Sequence, residues 1–189
     1  MKTPQLKKQS INNQHQDVMV DLETWGTKPG CAIISIGAVS FGPDGLGEEF
    51  YTVLDRVSCA SVGLHEDADT LAWWAKQSDA AKETLLETES ENAVPISKAL
   101  VQFNNFLSGF GDNIKVWGNG SDFDNTILGS AYTATGIQPG WKFWNNRCYR
   151  TLKGIINGPR MQRSGTHHNA LDDAISQANH AVELLKVAR

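Results

Sequence analysis

Three strand-like runs follow one another closely in the first third of the chain, and nothing after them repeats that density. DVMVDLE (17–23) is apolar at its centre. Beyond the turn-rich TWGTKPG comes CAIISIGAVSF (31–41), rich in Ile, Val and Ala. GPDGLG then carries a D-G turn signal, and EEFYTVL (48–54) alternates. These turns suit antiparallel neighbours, so the spacing predicts a three-stranded meander. The remainder reads as helices broken by short strands. DADTLAWWAKQSDAAKETLLE (67–87) is built from good helix formers, and AVPISKALVQFNNFLSGFG (93–111) sets Ile96, Leu100, Phe103 and Leu107 on one face before a glycine stop. IKVWG (114–118) reads as a buried strand and SDFDNTILGSAYTATG (121–136) as a helix. Residues 137–158 read as a strand and then a helix from about Cys148. The last helix, from Asn169, carries a stripe of Leu171, Ala174, Ile175, Ala178, Val182 and Leu185. Strands first, then helices alternating with strands, predict an α/β fold: a central mixed β-sheet flanked by helices.

No repeat or linker divides the chain, and 189 residues suit one domain of roughly 100–200. The expected organisation is a flexible tail over 1–16, polar and rich in Gln, Asn and Lys, and a single domain over 17–189. Seventeen basic against 21 acidic residues leave a net charge of −4, which excludes a broad basic surface for duplex nucleic acid but not a local basic groove. No run approaches the ~20 apolar residues of a membrane-spanning helix, so no membrane partner is expected. The opening MKTPQLKKQSINNQHQ has no apolar stretch and does not read as a secretory signal. Cys31, Cys59 and Cys148, odd in number and far apart, suggest neither a disulfide framework nor a zinc site, and a reducing cytoplasm is the default.

Three acidic clusters stand out. Asp21 and Glu23 lie two apart on the first strand and therefore share a face. They either cap the strand at solvent or, if buried together, need a cation; an oxygen-only site of this kind suits Mg²⁺ or Mn²⁺. Asp124 falls in the first turn of a helix after a buried strand, where the helix dipole favours an acid in any protein, and Asp122 nearby suits a cap. In HHNALDDA (167–174), Asn169 suits a helix cap, with Asp172 and Asp173 in the first turn. At ~100° per residue Asp172 lies somewhat nearer the apolar stripe than Asp173, and periodicity does not choose between them.

Taken in order, D-x-E on an early strand, N-G-x-x-F-D after a later one and H-x-x-x-x-D at the last helix resemble the DEDD exonuclease superfamily, in its histidine-bearing DEDDh (DnaQ-like) branch. The resemblance spans about residues 17–187. More narrowly, VDLETWGTKPGCAIISIGAV, TLAWWAKQS, VWGNGSDFDNTIL, RCYRT and HHNALDDA look like the phage and prophage exodeoxyribonuclease VIII-like proteins and the ribonuclease AS-like group. The resemblance implies a ribonuclease H-like fold and a single 3′–5′ exonuclease domain over 17–189. It implies that Asp21, Glu23, Asp124 and Asp173 bind two divalent metal ions, Mg²⁺ or Mn²⁺, and that His168 is the general base of a two-metal hydrolysis. Asp172 is then a neighbour and His167 a bystander. Where many relatives carry an Asp-Thr pair this chain has Arg150-Thr151, so no acid is assigned there.

The expected substrate is the 3′ end of single-stranded nucleic acid, with DNA favoured by the phage resemblance and RNA kept open by the ribonuclease AS-like one. Leu22, Thr24 and Trp25, around the first motif, are candidate substrate contacts. Of the adjacent Trp73 and Trp74, Trp74 is the candidate, and Arg147 is a candidate for the phosphate backbone, with Arg150 beside it. The resemblance also implies a homodimer and a cytoplasmic location in a bacterial host cell. A non-catalytic nucleic-acid-binding module and a nucleotide phosphoesterase are the competing readings; the presence of all four acids and the histidine speaks against the first.

Overall fold

The computed structural model describes residues 16–188; the tail expected over 1–16 lies, but for Gln16, outside the described residues. The expected meander forms: β1 (Asp17–Thr24), β2 (Ile33–Gly42) and β3 (Gly45–Val53) pair antiparallel in sequence order. β4 (Lys115–Gly118) joins β1 in parallel, and β5 (Asn146–Cys148) joins β4 in parallel, which gives a five-stranded mixed sheet in the order β3-β2-β1-β4-β5.

Helices cover both faces. Three short ones, α1 (Arg56–Ser61), α2 (Ala68–Trp74) and α3 (Asp79–Glu87), follow β3 and lead into the longer α4 (Ile96–Ser108). Val18, Val20 and Leu22 of β1 point into one core, shared with Leu100, Phe103 and Leu107 of α4 and with Ile127, Leu128 and Ala131 of α5 (Asp124–Thr135). Met19 points to the opposite core, with Val39, Phe41 and Trp117, under α6 (Tyr149–Ile155) and α7 (Ala170–Val187). The strand's two-residue period therefore sends Asp21 and Glu23, which follow Met19 at spacings of two, to the α7 side.

Two expectations are corrected. The helix read over 67–87 is two helices, because Ser78 caps the second of them: its Oγ accepts the Ala81 N–H at 3.2 Å. The buried face of α7 is rotated from the stripe read in the sequence. Ala170, Asp173, Ala174, Gln177, Ala178, Ala181 and Leu184 are buried, while Leu171, Ile175 and Leu185 are only partly so. Small residues let this helix lie close to the sheet, so its bulkier apolar side chains fall on the flank. Among the described residues no helix is long and apolar enough to cross a membrane.

Candidate active site

The site lies where the parallel strands separate. The β1–β4 ladder ends at Met19 opposite Trp117, and β1 runs on through residues 20–24 without β4 beside it. A crevice at the carboxyl ends of parallel strands is the usual ligand position in such sheets. Asp21 and Glu23 project into it from β1. Asp173, from the first turn of α7, joins them, and ligand oxygens of the three lie within 4.8 Å of one another.

Asp124 is delivered by α5. Its Oδ1 accepts the Leu22 N–H at 3.2 Å, and its Oδ2 accepts the Asn119 N–H at 2.8 Å. The carboxylate thus takes up a β1 donor left over where β4 has departed, and it ties the loop after β4 to β1. Gly118 makes room: a Cβ there would stand 2.9 Å from the Asp124 carboxylate and 2.6 Å from Asn125 Oδ1. Asp122 makes no cap, since α5 has no side-chain cap hydrogen bond.

The start of α7 sets the histidine. Asn169 caps the helix, its Oδ1 accepting from Leu171 and Asp172 at 3.1 and 3.2 Å. Asp172 turns to the preceding loop and accepts the Thr166 N–H at 2.6 Å. Asp173 Oδ2 accepts the His168 N–H at 3.1 Å, and His168 holds a left-handed φ of 65° that few residues other than glycine adopt. Its ring is packed edge-on against Trp73 and Trp74, with centroids 4.9 and 6.0 Å away, and lies 3.8 Å from that of His167.

A cavity of about 760 Å³ opens over the acids. Leu22, Thr24, Trp73 and Trp74 line it. Trp74 is a buried wall whose Nε1 donates to the Thr24 carbonyl at 2.9 Å, and Trp73 is the exposed member of the pair. Trp25 and Arg147 are not brought there. Trp25 is buried in the core beneath the Arg56 guanidinium, and Arg147 is turned to the carbonyls of Trp144 and Asn146. Two further lining residues are absent from the sequence-based set. Gln177, one turn beyond Asp173, donates from Nε2 to Asp21 Oδ1 at 2.7 Å, and Arg163 pairs with Asp173 Oδ1. The i, i+4 spacing of Gln177 from Asp173 is the one sequence signal for the first; a loop arginine carries no such signal.

Crowding the acids together leaves a clear electrostatic signature. Burial, then the charges of Asp124 and Glu23, push Asp21 well above the usual carboxylate range. Burial, then Asp173 and Asp124, push Glu23 up to about 8. Burial raises Asp124 to about 7 against the opposing pull of the Leu22 and Asn119 N–H groups. These groups resist carrying charge together unless a cation joins them. The oxygen-only donor set fits a hard divalent ion, and so does the buried Gln177 Oε1, which has no partner among the described residues. His168 moves the other way, lowered by burial and then by the His167 charge, so its imidazole is neutral near pH 7.

Known proteins share this fold. A model for the Rv2179c-like 3′–5′ exoribonuclease domain matches residues 16–185. The nuclease domain of 3′hExo, a DEDDh family member solved bound to rAMP, superposes with a TM-score of 0.60 at 14% identity over 93% of each chain. Exonuclease X, solved with 5′ overhanging duplex DNA, gives 0.54 at 14% identity over 91% of this chain and 92% of that one. A 3′-exonuclease solved in recognition of a histone mRNA stem-loop gives 0.55 at 13% identity, covering 92% and 82%. No curated protein matches the chain in sequence at a significant level. The family match defines a 3′–5′ exonuclease domain, a hydrolase, on a fold shared with these solved nucleases. The chain belongs to the Rv2179c-like 3′–5′ exoribonuclease domain family.

Proposed function

We propose that the protein removes nucleotides one at a time from the 3′ end of single-stranded RNA. The observation that carries this reading is the convergence of Asp21, Glu23 and Asp173 within 4.8 Å, beside an Asp124 fixed by two backbone donors. Asp21, Glu23, Asp124 and Asp173 would hold two divalent cations, Mg²⁺ or Mn²⁺. Bound there, such ions lower the pKa of an attacking water and offset charge on the leaving 3′ oxygen. The protein's own groups do the rest. The neutral His168 imidazole accepts the proton of the attacking water, and Asp173 Oδ2 holds the His168 backbone in place. Gln177 orients Asp21 by holding its Oδ1. Leu22 and Trp73 offer apolar surface to the terminal nucleotide, with Thr24 and Trp74 as the wall behind.

The family description supports RNA. The narrower resemblance to phage exodeoxyribonuclease VIII-like proteins supports single-stranded DNA as the second reading. The test is incubation of 5′-labelled RNA and DNA oligomers of one sequence with Mg²⁺ or Mn²⁺ and a chelator control. A metal-dependent ladder of shortened products, formed faster from RNA, is the expected result. Faster shortening of DNA would move the assignment to the second reading, and an intact label with both polymers would end the nuclease reading.

A further inference from the structure

Three cations stand beside the acid cluster: Arg150 and Lys153 of α6, and Arg163 in the loop before α7. They meet on one rim. Arg150 Nη2 donates to the Asn119 carbonyl at 2.6 Å, and Lys153 Nζ reaches Asn119 Oδ1 at 3.5 Å. Asn119 is itself the residue whose N–H holds Asp124. Arg163 arrives through its pair with Asp173. Two cations are thus one residue removed from one active-site acid, and the third touches another.

Held together, like charges repel. The Lys153 ammonium is held below its usual range by burial first, and by the charges of Arg150 and Arg163 next. Arg163 is offset by Asp173, but among the described residues neither Arg150 nor Lys153 forms an ion pair with a carboxylate. The opposite wall of the cavity differs. Glu66, Asp67 and Asp69 line it with Lys28, and Glu66 is already paired with the Arg56 guanidinium at 2.7 Å. A polyanion is attracted along the Asn119 rim, where two cations stand without a carboxylate partner among the described residues.

We infer that this rim is a phosphate subsite. It takes backbone phosphates of the substrate strand on the 5′ side of the bond being cut, so the strand leaves the cavity across Asn119, past Arg150 and Lys153. This rests on the nuclease reading and adds a property to it: preference for oligonucleotides over a dinucleotide, through charge and without base reading.

The test compares the parent protein with R150A/K153A and with R150K/K153R. The substrates are a dinucleotide and a 10-mer of whichever polymer the parent shortens faster, each across a salt series. Both side chains are exposed, so the alanine pair leaves the core intact. R150A/K153A is expected to lose roughly tenfold in kcat/KM on the 10-mer at low salt, mostly through KM, while the dinucleotide rate stays at the parental level. Its log–log salt slope should flatten by about 1.4, at ~0.7 for each single-strand phosphate that is no longer neutralised. R150K/K153R should recover the slope. An unchanged 10-mer rate and slope would overturn the subsite, and so would an equal loss on both substrates, which would mark these residues as supports of the catalytic centre. If the parent cleaved the dinucleotide but no longer strand faster, the subsite alone would fall; if it cleaved neither, the nuclease reading would fall and the subsite with it.

Discussion

Gly37 lies directly across the β1–β2 ladder from Asp21, and the start of α7 rests on it. A Cβ at this position would collide with the main chain of Ala170 and Leu171. The missing side chain is what lets α7 approach close enough to set Asp173 beside Asp21. Gly37→Ala must push α7 outward. An overpacking cost of ~1–3 kcal/mol, at ~2–4 °C per kcal/mol for a chain of this size, predicts a melting temperature lower by several degrees. Divalent-ion affinity, measured by titration calorimetry, should fall with it. A variant with parental stability and affinity would show that the helix does not need this approach.

Gln177 acts through Asp21. Leucine in its place keeps the volume and removes the donor to Asp21 Oδ1, together with the unpartnered Oε1. Losing the Oε1 costs nothing, but losing the donor leaves Asp21 Oδ1 without its partner at a cost of ~1–3 kcal/mol, so the melting temperature should fall by several degrees. Manganese affinity should drop by roughly 10–100-fold, as for other outer hydrogen-bond partners of metal ligands, and turnover should drop in step. Equal manganese binding by parent and Gln177→Leu would exclude the positioning role.

The acid cluster predicts how stability depends on pH. Glu23, with a folded-state value of about 8, and Asp21, also raised, hold protons more tightly in the folded chain than in the unfolded one. Their contribution to stability is fully present below the unfolded carboxylate range and is lost as pH rises through the folded values. In chelator the melting temperature should therefore decline between about pH 5 and pH 8.5. Added Mg²⁺ or Mn²⁺ should raise it more at about pH 8.5 than at about pH 5, because the ions bind the deprotonated acids. Thermal melts on a grid of pH and metal concentration make the comparison; an equal metal effect at both pH values would contradict a carboxylate site.

His168 predicts a kinetic split. Burial and His167 lower its pKa below the usual imidazole value, so the acid limb of the kcat profile should lie below ~6.5. His168→Ala should cut kcat by roughly 10²–10⁴, remove that limb and leave KM little changed. Retention of the limb in the variant would assign the proton transfer to another group.

How much of the molecule is legible in its sequence differs from residue to residue. The meander is legible because its alternation and turns are local. The α4 face is legible too: Ile96, Leu100, Phe103 and Leu107 are all buried, because a wide apolar helix stripe meets a core in only one way. The α7 face is not. A helical wheel follows Leu171, Ile175 and Leu185, whereas close approach at Gly37 selects alanines and turns Asp173 inward. Asp172, nearer the apolar stripe on the wheel, goes instead to the Thr166 N–H. Trp25, just past the first motif, packs into the core under Arg56, because the register shift between Glu23 and Thr24 breaks the alternation that holds Asp21 and Glu23 on the α7 side.

The linear sequence determined the strands, the helices and the chemistry available, because periodicity, caps and turn residues act over a few positions, and acids two apart on a strand must share a face. Only the tertiary structure decided that residues as distant as Asp21 and Gln177 touch, that Arg163 and Asn119 border the site, and that Arg147 does not. Those meetings depend on where β1 outruns β4 and on how closely α7 can lie on the sheet. Both are set by packing between segments far apart in the chain, which no local pattern encodes.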